Sequence, residues 1–195
     1  GFDLRGGTID KLRPYDEENV DAFEVGLKSE LFDQRLRLNL AAFLSQYDDL
    51  QRTVNDNSAT PPTARVQNAA DAEIKGIEIE ATALITDRFT IFGVLGLMDA
   101  EFKSFPGLDV DADGIPDPDL AKGNQLARVP EITYNIGANY DFSLNNNGSI
   151  SLRGHYSFVG DRPANDQNTF DINEYKRLNL SVTYYSPGES FSVST

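Results

Sequence analysis

The chain has 195 residues, a formal net charge of −14 and no cysteine. The acidic excess argues against nucleic acid as a partner, because phosphate contacts require basic patches, and the missing cysteine excludes disulfides and thiolate metal sites. No apolar run reaches the about 18–20 residues that a membrane-spanning helix requires. Strands that cross a membrane are half polar, so they remain compatible with this composition.

The first regular pattern is an alternation of apolar and polar residues over residues 23–31, repeated over residues 36–44. Successive side chains of a β-strand point to opposite faces, so a period of two predicts two strands, each with an apolar and a polar face. The short polar stretch at residues 32–34 predicts a turn, and therefore an antiparallel hairpin. Each arm has about nine to ten residues, the length that a tilted strand needs to cross a bilayer.

The same pattern recurs along the rest of the chain. Further strands are predicted at residues 73–85, 89–102, 132–142, 150–158 and 178–184, with another beginning at Phe191. The strand at 89–102 is apolar on both sides, so alternation does not assign its lipid-facing side. The clearest alternation is that of residues 132–142.

The connections between the predicted strands alternate strictly between short and long. The long ones cover residues 53–71, 103–129 and 160–174. A soluble β-sandwich has no reason to keep every second connection long, whereas outer-membrane barrels have short periplasmic turns and long outer loops.

Aromatic residues lie near the ends of the predicted strands, as in the interfacial girdles of a barrel wall. One group lies by the short turns: Phe89, Tyr140, Phe142 and Tyr184. The other lies towards the long connections: Phe102, Tyr134, Tyr156 and Phe158. Aromatic residues scattered through an ordinary β core are the alternative interpretation.

Three motifs occur in a fixed order: EVGLK at residues 24–28, KGIEIE at residues 75–80, and Pro130 before the tyrosine-bearing strand at 132–142. In this order they resemble the C-terminal part of the β-barrel of TonB-dependent outer-membrane receptors. The resemblance covers nearly all of the chain. It implies an all-β fold, an antiparallel up-and-down transmembrane β-barrel of about 22 strands around a plug, of which residues 1–195 supply about eight.

The resemblance also implies a function. Receptors of this kind use energy relayed by TonB to take up a scarce ligand, here expected to be an iron–siderophore complex, across the outer membrane of a Gram-negative bacterium. The implied partners are outer-membrane lipid, the receptor's own plug domain, TonB and a small-molecule ligand such as an iron chelate. We expect the plug domain, the TonB box and the last strand to lie outside this sequence.

The polar sides of the predicted strands carry charged residues that the resemblance places in the lumen, facing the plug. These residues are Glu24, Lys28, Glu30, Glu78, Glu80 and Arg153. The alternative for any one of these residues is that it only makes the inner wall polar, without a specific contact to the plug. Burying such charges against a plug is favourable only where each is partnered.

The second long connection contains the sequence DVDADG at residues 109–114. Asp109, Asp111 and Asp113 alternate before a glycine, and Asp117 follows, a spacing that can wrap oxygen ligands around Ca²⁺. The bidentate glutamate of an EF-hand is missing, because Leu120 stands in its place. The sequence therefore fits a calcium loop as well as an acidic solvated loop.

His155 is the only histidine and is expected to share a polar face with Ser157. Catalysis by such a pair needs an acidic partner and an oxyanion donor, and the sequence indicates neither. A single histidine does not make a His-based metal site. We therefore expect no enzymatic activity.

Two other functions remain open from the sequence. One is a passive porin-like or structural outer-membrane barrel without a plug. The other is a secreted calcium-binding β domain, which would expose the predicted apolar stripes to water as large patches.

Overall fold

The structure is a computed structural model, and it describes residues 2–3, 13–56, 63–105 and 121–195. Its main feature is an eight-stranded sheet in the order β12-β11-β8-β7-β6-β5-β4-β3. The strands are β3 (Asn19–Leu31), β4 (Leu36–Asp56), β5 (Thr63–Thr86), β6 (Phe89–Ser104), β7 (Ile132–Ser143), β8 (Ser149–Val159), β11 (Tyr175–Tyr185) and β12 (Ser192–Ser194). Within the described residues, no helix is long and apolar enough to cross a membrane.

Two pairs of very short strands lie outside this sheet. They are β1 (Phe2–Asp3) with β2 (Arg13–Pro14), and β9 (Arg162–Pro163) with β10 (Asp171–Ile172). Every pairing in the main sheet is antiparallel, and each strand pairs with the strand that precedes or follows it in the sheet's chain order. The predicted all-β, up-and-down arrangement is therefore confirmed.

The first long connection is much shorter than predicted. Residues 53–56 and 63–71, expected to be loop, extend β4 and β5, with Thr53 paired with Val66. The ladder is irregular between Tyr47 and Leu50, and Asp49 there has a positive φ of 57°. An irregularity of this kind changes the phase of the side-chain alternation, so the period of two is lost in the sequence although the strands continue.

The pairing register defines two faces of the sheet, because directly paired residues lie on the same face. We call one the polar face; it carries Glu24, Lys28, Asn39, Glu80, Asn135 and His155. We call the other the apolar face; it carries Val25, Leu40, Ile79, Leu95, Ile136, Leu152 and Leu180. The register also assigns β6: Val94 pairs with Glu80 on the polar face, and Leu95 pairs with Ile79 on the apolar face.

The sheet has two distinct ends. We call the end where β4 meets β5, β6 meets β7 and β8 meets β11 the long-connection end, and the opposite end the short-turn end. At the short-turn end, residues 32–34 turn the chain with three successive positive φ angles, and Arg35 N–H donates to Phe32 O at 3.1 Å.

Aromatic rings on the apolar face form two groups. Near the long-connection end, Tyr134 lies 5.0 Å from Phe158 and 6.1 Å from Tyr156, between ring centroids. Near the short-turn end, Tyr140 lies 4.5 Å from Phe142 and 6.0 Å from Phe89. The two groups are separated along β7 by about 20 Å, at about 3.3 Å per residue.

Phe102 belongs to neither group, and its placement among the aromatic girdle was wrong. Its side chain is fully buried on the polar face and makes an edge contact with Phe105, with centroids 4.9 Å apart. It is part of a small hydrophobic core at the long-connection end. The core residues are Ala70, Ala72, Ala100, Phe102, Phe105, Ala121 and Leu126. The core therefore anchors the outer part of β5 and β6 and the segment that precedes β7.

Candidate functional site

The apolar face is exposed along its whole width. Leu180 is 73% exposed, Val25 72% and Ile136 53%. Soluble proteins rarely present apolar patches of more than a few hundred Å², so a continuous stripe of this kind is typical of a surface that meets an apolar medium. Leu152, also on this face, is 38% exposed and lies outside any dry core.

Ion pairs lie at both borders of the apolar stripe. At one border Lys75 lies 3.1 Å from Asp99, and at the other Arg35 lies 3.1 Å from Asp87. From Lys75 to Asp87, β5 and its turn span about 40 Å at about 3.3 Å per residue. A strand tilt of about 45° reduces this to about 28 Å, close to the thickness of a bilayer's hydrocarbon core.

The polar face brings together four of the predicted wall residues. Glu24, Lys28, Glu78 and Glu80, with Asn39, line a groove of about 200 Å³ across β3, β4 and β5. Asn39 Nδ2 donates to Glu80 Oε2 at 3.0 Å. Three carboxylates against one ammonium give the groove a negative charge, which suits a cationic side chain of a partner.

The other two predicted wall residues lie on the same face but outside the groove. Glu30 accepts a hydrogen bond from Arg37 Nη2 at 3.2 Å, near the short-turn end. Arg153 is on β8, where its guanidinium lies 5.1 Å from the centroid of the Phe92 ring, a cation–π contact.

Two aromatic rings of the polar face lie over glycines, a feature that the sequence did not indicate. Phe43 pairs with Gly76, and a Cβ on Gly76 would lie 2.7 Å from the ring and 2.6 Å from the Leu97 carbonyl oxygen. Phe92 covers its paired residue Gly137 in the same way, since a Cβ on Gly137 would overlap the Phe92 ring. Each ring lies flat on the wall instead of projecting from it. Which aromatic faces which glycine depends on the register, so alternation alone could not reveal it.

His155 and Ser157 share the polar face but have different partners. His155 Nε2 lies 3.0 Å from Asn179 Nδ2, while Asn135 Nδ2 donates to Ser157 Oγ at 2.8 Å. The side chains form rungs of a polar ladder across β7, β8 and β11. They do not form a nucleophile–base pair.

The predicted calcium ligands Asp109, Asp111, Asp113 and Asp117 lie outside the described residues. Among the residues that the structure does describe, no group of three or more His, Asp or Glu side chains is placed to hold a metal ion.

Taken together, an up-and-down antiparallel sheet with an exposed apolar face, a polar face, short turns at one end and long connections at the other defines the wall of a membrane β-barrel. The chain matches the family model described as TonB dependent receptor-like, beta-barrel, over residues 3–195. The chain belongs to the family of TonB-dependent receptors, which are β-barrels of the Gram-negative outer membrane.

Two curated relatives are receptors. The chain is 23% identical over 184 residues to the metal-pseudopaline receptor CntO of Pseudomonas aeruginosa, covering 94% of this chain and 24% of that protein. It is 24% identical over 125 residues to the probable TonB-dependent siderophore receptor PiuA of Acinetobacter baumannii, covering 64% and 16%. The chain thus spans about a quarter or less of the length of these relatives.

Solved receptor structures share the fold. The ferric yersiniabactin uptake receptor FyuA from Yersinia pestis superposes with a TM-score of 0.72 at 20% identity, over 94% of this chain and 25% of FyuA. PiuA from A. baumannii gives a TM-score of 0.66 at 18% identity, over 85% and 22%. Because the family model that covers residues 3–195 describes receptors, the prediction that the chain is not an enzyme is confirmed.

Proposed function

We propose that the chain is part of the barrel wall of a receptor in the outer membrane of a Gram-negative bacterium. The receptor takes up an iron–siderophore complex, using energy that TonB relays from the inner membrane. The observation that carries this proposal is the two-faced sheet, in which an apolar stripe of bilayer height backs a charged and hydrogen-bonded polar face.

The apolar face is assigned to outer-membrane lipid. Its exposed leucine, isoleucine and valine side chains are unfavourable in water at about 25 cal/mol per Å² of apolar surface, and lipid removes that cost. The aromatic groups at both borders of the stripe suit the two membrane–water interfaces, where amphipathic rings are enriched.

The polar face is assigned to the lumen and to the receptor's own plug domain. Glu24, Glu78 and Glu80 give the groove its negative charge, so we expect basic side chains of the plug to lie against it. Glu30 and Arg153 line the same wall. Such pairs stabilise the plug only when each buried charge keeps a partner, which makes the attachment specific and reversible.

The ligand class follows from the relatives. CntO is named for a metal-pseudopaline complex, FyuA for ferric yersiniabactin and PiuA for a siderophore. Each of these names points to a small metal-chelating molecule, which supports an iron chelate as the ligand here. TonB is the partner that supplies the energy for uptake.

Uptake of radioactive iron by cells tests this proposal. The probes are ferric hydroxamate, catecholate and carboxylate siderophores, supplied singly to a strain lacking the gene and to the same strain complemented with it. We expect complementation to restore uptake of at least one chelate, and a protonophore to abolish that uptake. Uptake that persists with the protonophore would identify a passive porin-like barrel instead. A protein that stays in solution without detergent would favour the secreted β domain.

A further inference from the structure

Two of the long connections meet at the long-connection end of the sheet. Residues 121–126 run beside the outer part of β6 and pair with it: Leu126 N–H donates to Ala100 O at 2.9 Å, and Phe102 N–H donates to Asn124 O at 2.9 Å. An isolated bridge joins Glu101 to Gln125. This segment is therefore held on β6 by backbone bonds and by the buried side chain of Leu126.

The pairing leaves the backbone groups of Gln125 directed away from β6. In an antiparallel bridge whose hydrogen bonds come from the flanking residues, the central residue presents its own N–H and C=O to the opposite side. Buried or half-buried backbone groups of this kind need partners. A further strand would normally supply them.

The side chain of Asn168 takes the place of that strand. Gln125 N–H donates to Asn168 Oδ1 at 2.9 Å, and Asn168 Nδ2 donates to Gln125 O at 2.9 Å. Asn168 lies in the connection between β8 and β11 and has a positive φ of 52°, a conformation that asparagine tolerates. Its Nδ2 also donates to Asn165 O at 3.1 Å, which fixes the turn that presents the amide.

Further contacts join the same two connections. Arg128 N–H donates to Pro163 O at 2.7 Å, and Asn124 Nδ2 donates to Asp166 O at 3.1 Å. Asp166 Oδ2 also lies 3.8 Å from Nε of Arg52 on β4, whose guanidinium stacks 5.3 Å from the centroid of the buried Phe102 ring. The β8–β11 connection thus contacts residues 121–128 and, separately, the extended part of β4.

We propose that Asn168 clamps these two connections into one body, so that residues 121–128 and residues 160–172 open together and not separately. The two-way amide contact with Gln125 is the central link, and the contacts of Asp166 and Pro163 support it. A ligand that orders one connection at the mouth of the barrel therefore orders the other as well. This coupling rests on contacts within the described residues and does not depend on which ligand the receptor takes.

Hydrogen exchange read by mass spectrometry tests the coupling, on the protein expressed from its complete reading frame and folded in detergent. Asn168→Gly removes the side chain but permits the positive φ. Asn168→Asp keeps the shape and the acceptor but loses both Nδ2 donations. The second perturbation is Asn165→Ala, which keeps the Asn168 contacts and removes the hydrogen bonds between Asn165 and Thr169 inside one connection only.

Both Asn168 variants are expected to speed exchange about tenfold, and by a similar factor, in peptides covering residues 121–129 and 160–172. Asn165→Ala loosens one connection directly, so with Asn168 in place it should speed exchange in both segments. In combination with Asn168→Asp it should speed exchange further in residues 160–172 alone. The short turn at residues 144–148 reports whether a variant is folded, since its exchange should not change. The clamp would be overturned if Asn165→Ala alone sped exchange in residues 160–172 and left residues 121–129 unaffected. It would also be overturned if Asn168→Asp left exchange unchanged in both connections.

Discussion

The assignment of the apolar face to lipid makes a quantitative prediction for neighbouring positions of β7. Ile136 lies on the apolar face, 53% exposed, and Asn135 lies on the polar face, where its amide donates to Ser157 Oγ. Ile136 stands between the two aromatic groups, about 2 Å from the midpoint between Tyr134 and Tyr140, given about 3.3 Å per residue and a tilt of about 45°. A lysine this close to the midplane should cost about 2–4 kcal/mol, the range measured at the midplane of outer-membrane barrels.

The matched control is Asn135→Lys, which loses one hydrogen bond, worth about 1 kcal/mol, but keeps its charge in water. Ile136→Lys should therefore lower the folding equilibrium constant about 30- to 700-fold, and Asn135→Lys about fivefold, at about 1.4 kcal/mol per factor of ten. The assay is urea-dependent folding of the protein from its complete reading frame into lipid vesicles, followed by heat-modifiable gel mobility. Equal costs at the two positions, or a larger cost at Asn135, would refute the assignment of the faces.

Two further comparisons of variants test the polar face. Gly76→Ala should destabilise the barrel by about 1–3 kcal/mol, because the new methyl group overlaps a ring and a backbone carbonyl, whereas Gly26→Ala meets no atom closer than 3.4 Å and should be nearly neutral in the same urea titration. Glu78→Gln combined with Glu80→Gln should loosen the plug and admit a bulky antibiotic such as vancomycin, measured as a lower inhibitory concentration. The control is Glu30→Gln, because Glu30 lies outside the groove. If the control and the double variant became equally sensitive to vancomycin, the groove would not be the part of the wall that holds the plug.

Much of the sheet could be predicted because the period of two survives wherever one face meets an apolar medium. Residues 132–142 alternate without a break, and β7 runs from Ile132 to Ser143. The alternation failed at residues 53–71, where the irregular ladder near Asp49 shifts the phase and the strands contain more polar than apolar residues. The sequence pattern also misplaced Phe102. Its position at a strand end does not show that the later segment containing Ala121 and Leu126 packs on the polar face and buries its ring.

The candidate site could be predicted only in part, for a similar reason. Residues that are an even number of positions apart share one face of a strand. This places Glu24 and Lys28 on the same face of one strand, and Glu78 and Glu80 on the same face of another. Their approach to a shared groove depends on the β3–β4–β5 register, which the alternation does not contain. The Asn168 contact was beyond sequence reasoning altogether, because it joins two connections that are far apart along the chain and have no regular pattern.

The most direct test of the two-faced wall is cysteine scanning of β7 from residue 133 to residue 140, since residues 1–195 contain no native cysteine. Each single-cysteine protein, expressed from the complete reading frame and folded in vesicles, is treated with a membrane-impermeant thiol reagent, and a fluorophore at the same position is quenched by nitroxide-labelled lipid. Quenching should be strong at positions 134, 136, 138 and 140 and weak at the alternate positions, which the reagent should reach once the plug is removed. Quenching without a period of two, or strongest at Asn135 and Asn139, would contradict a wall with lipid on one side and the lumen on the other.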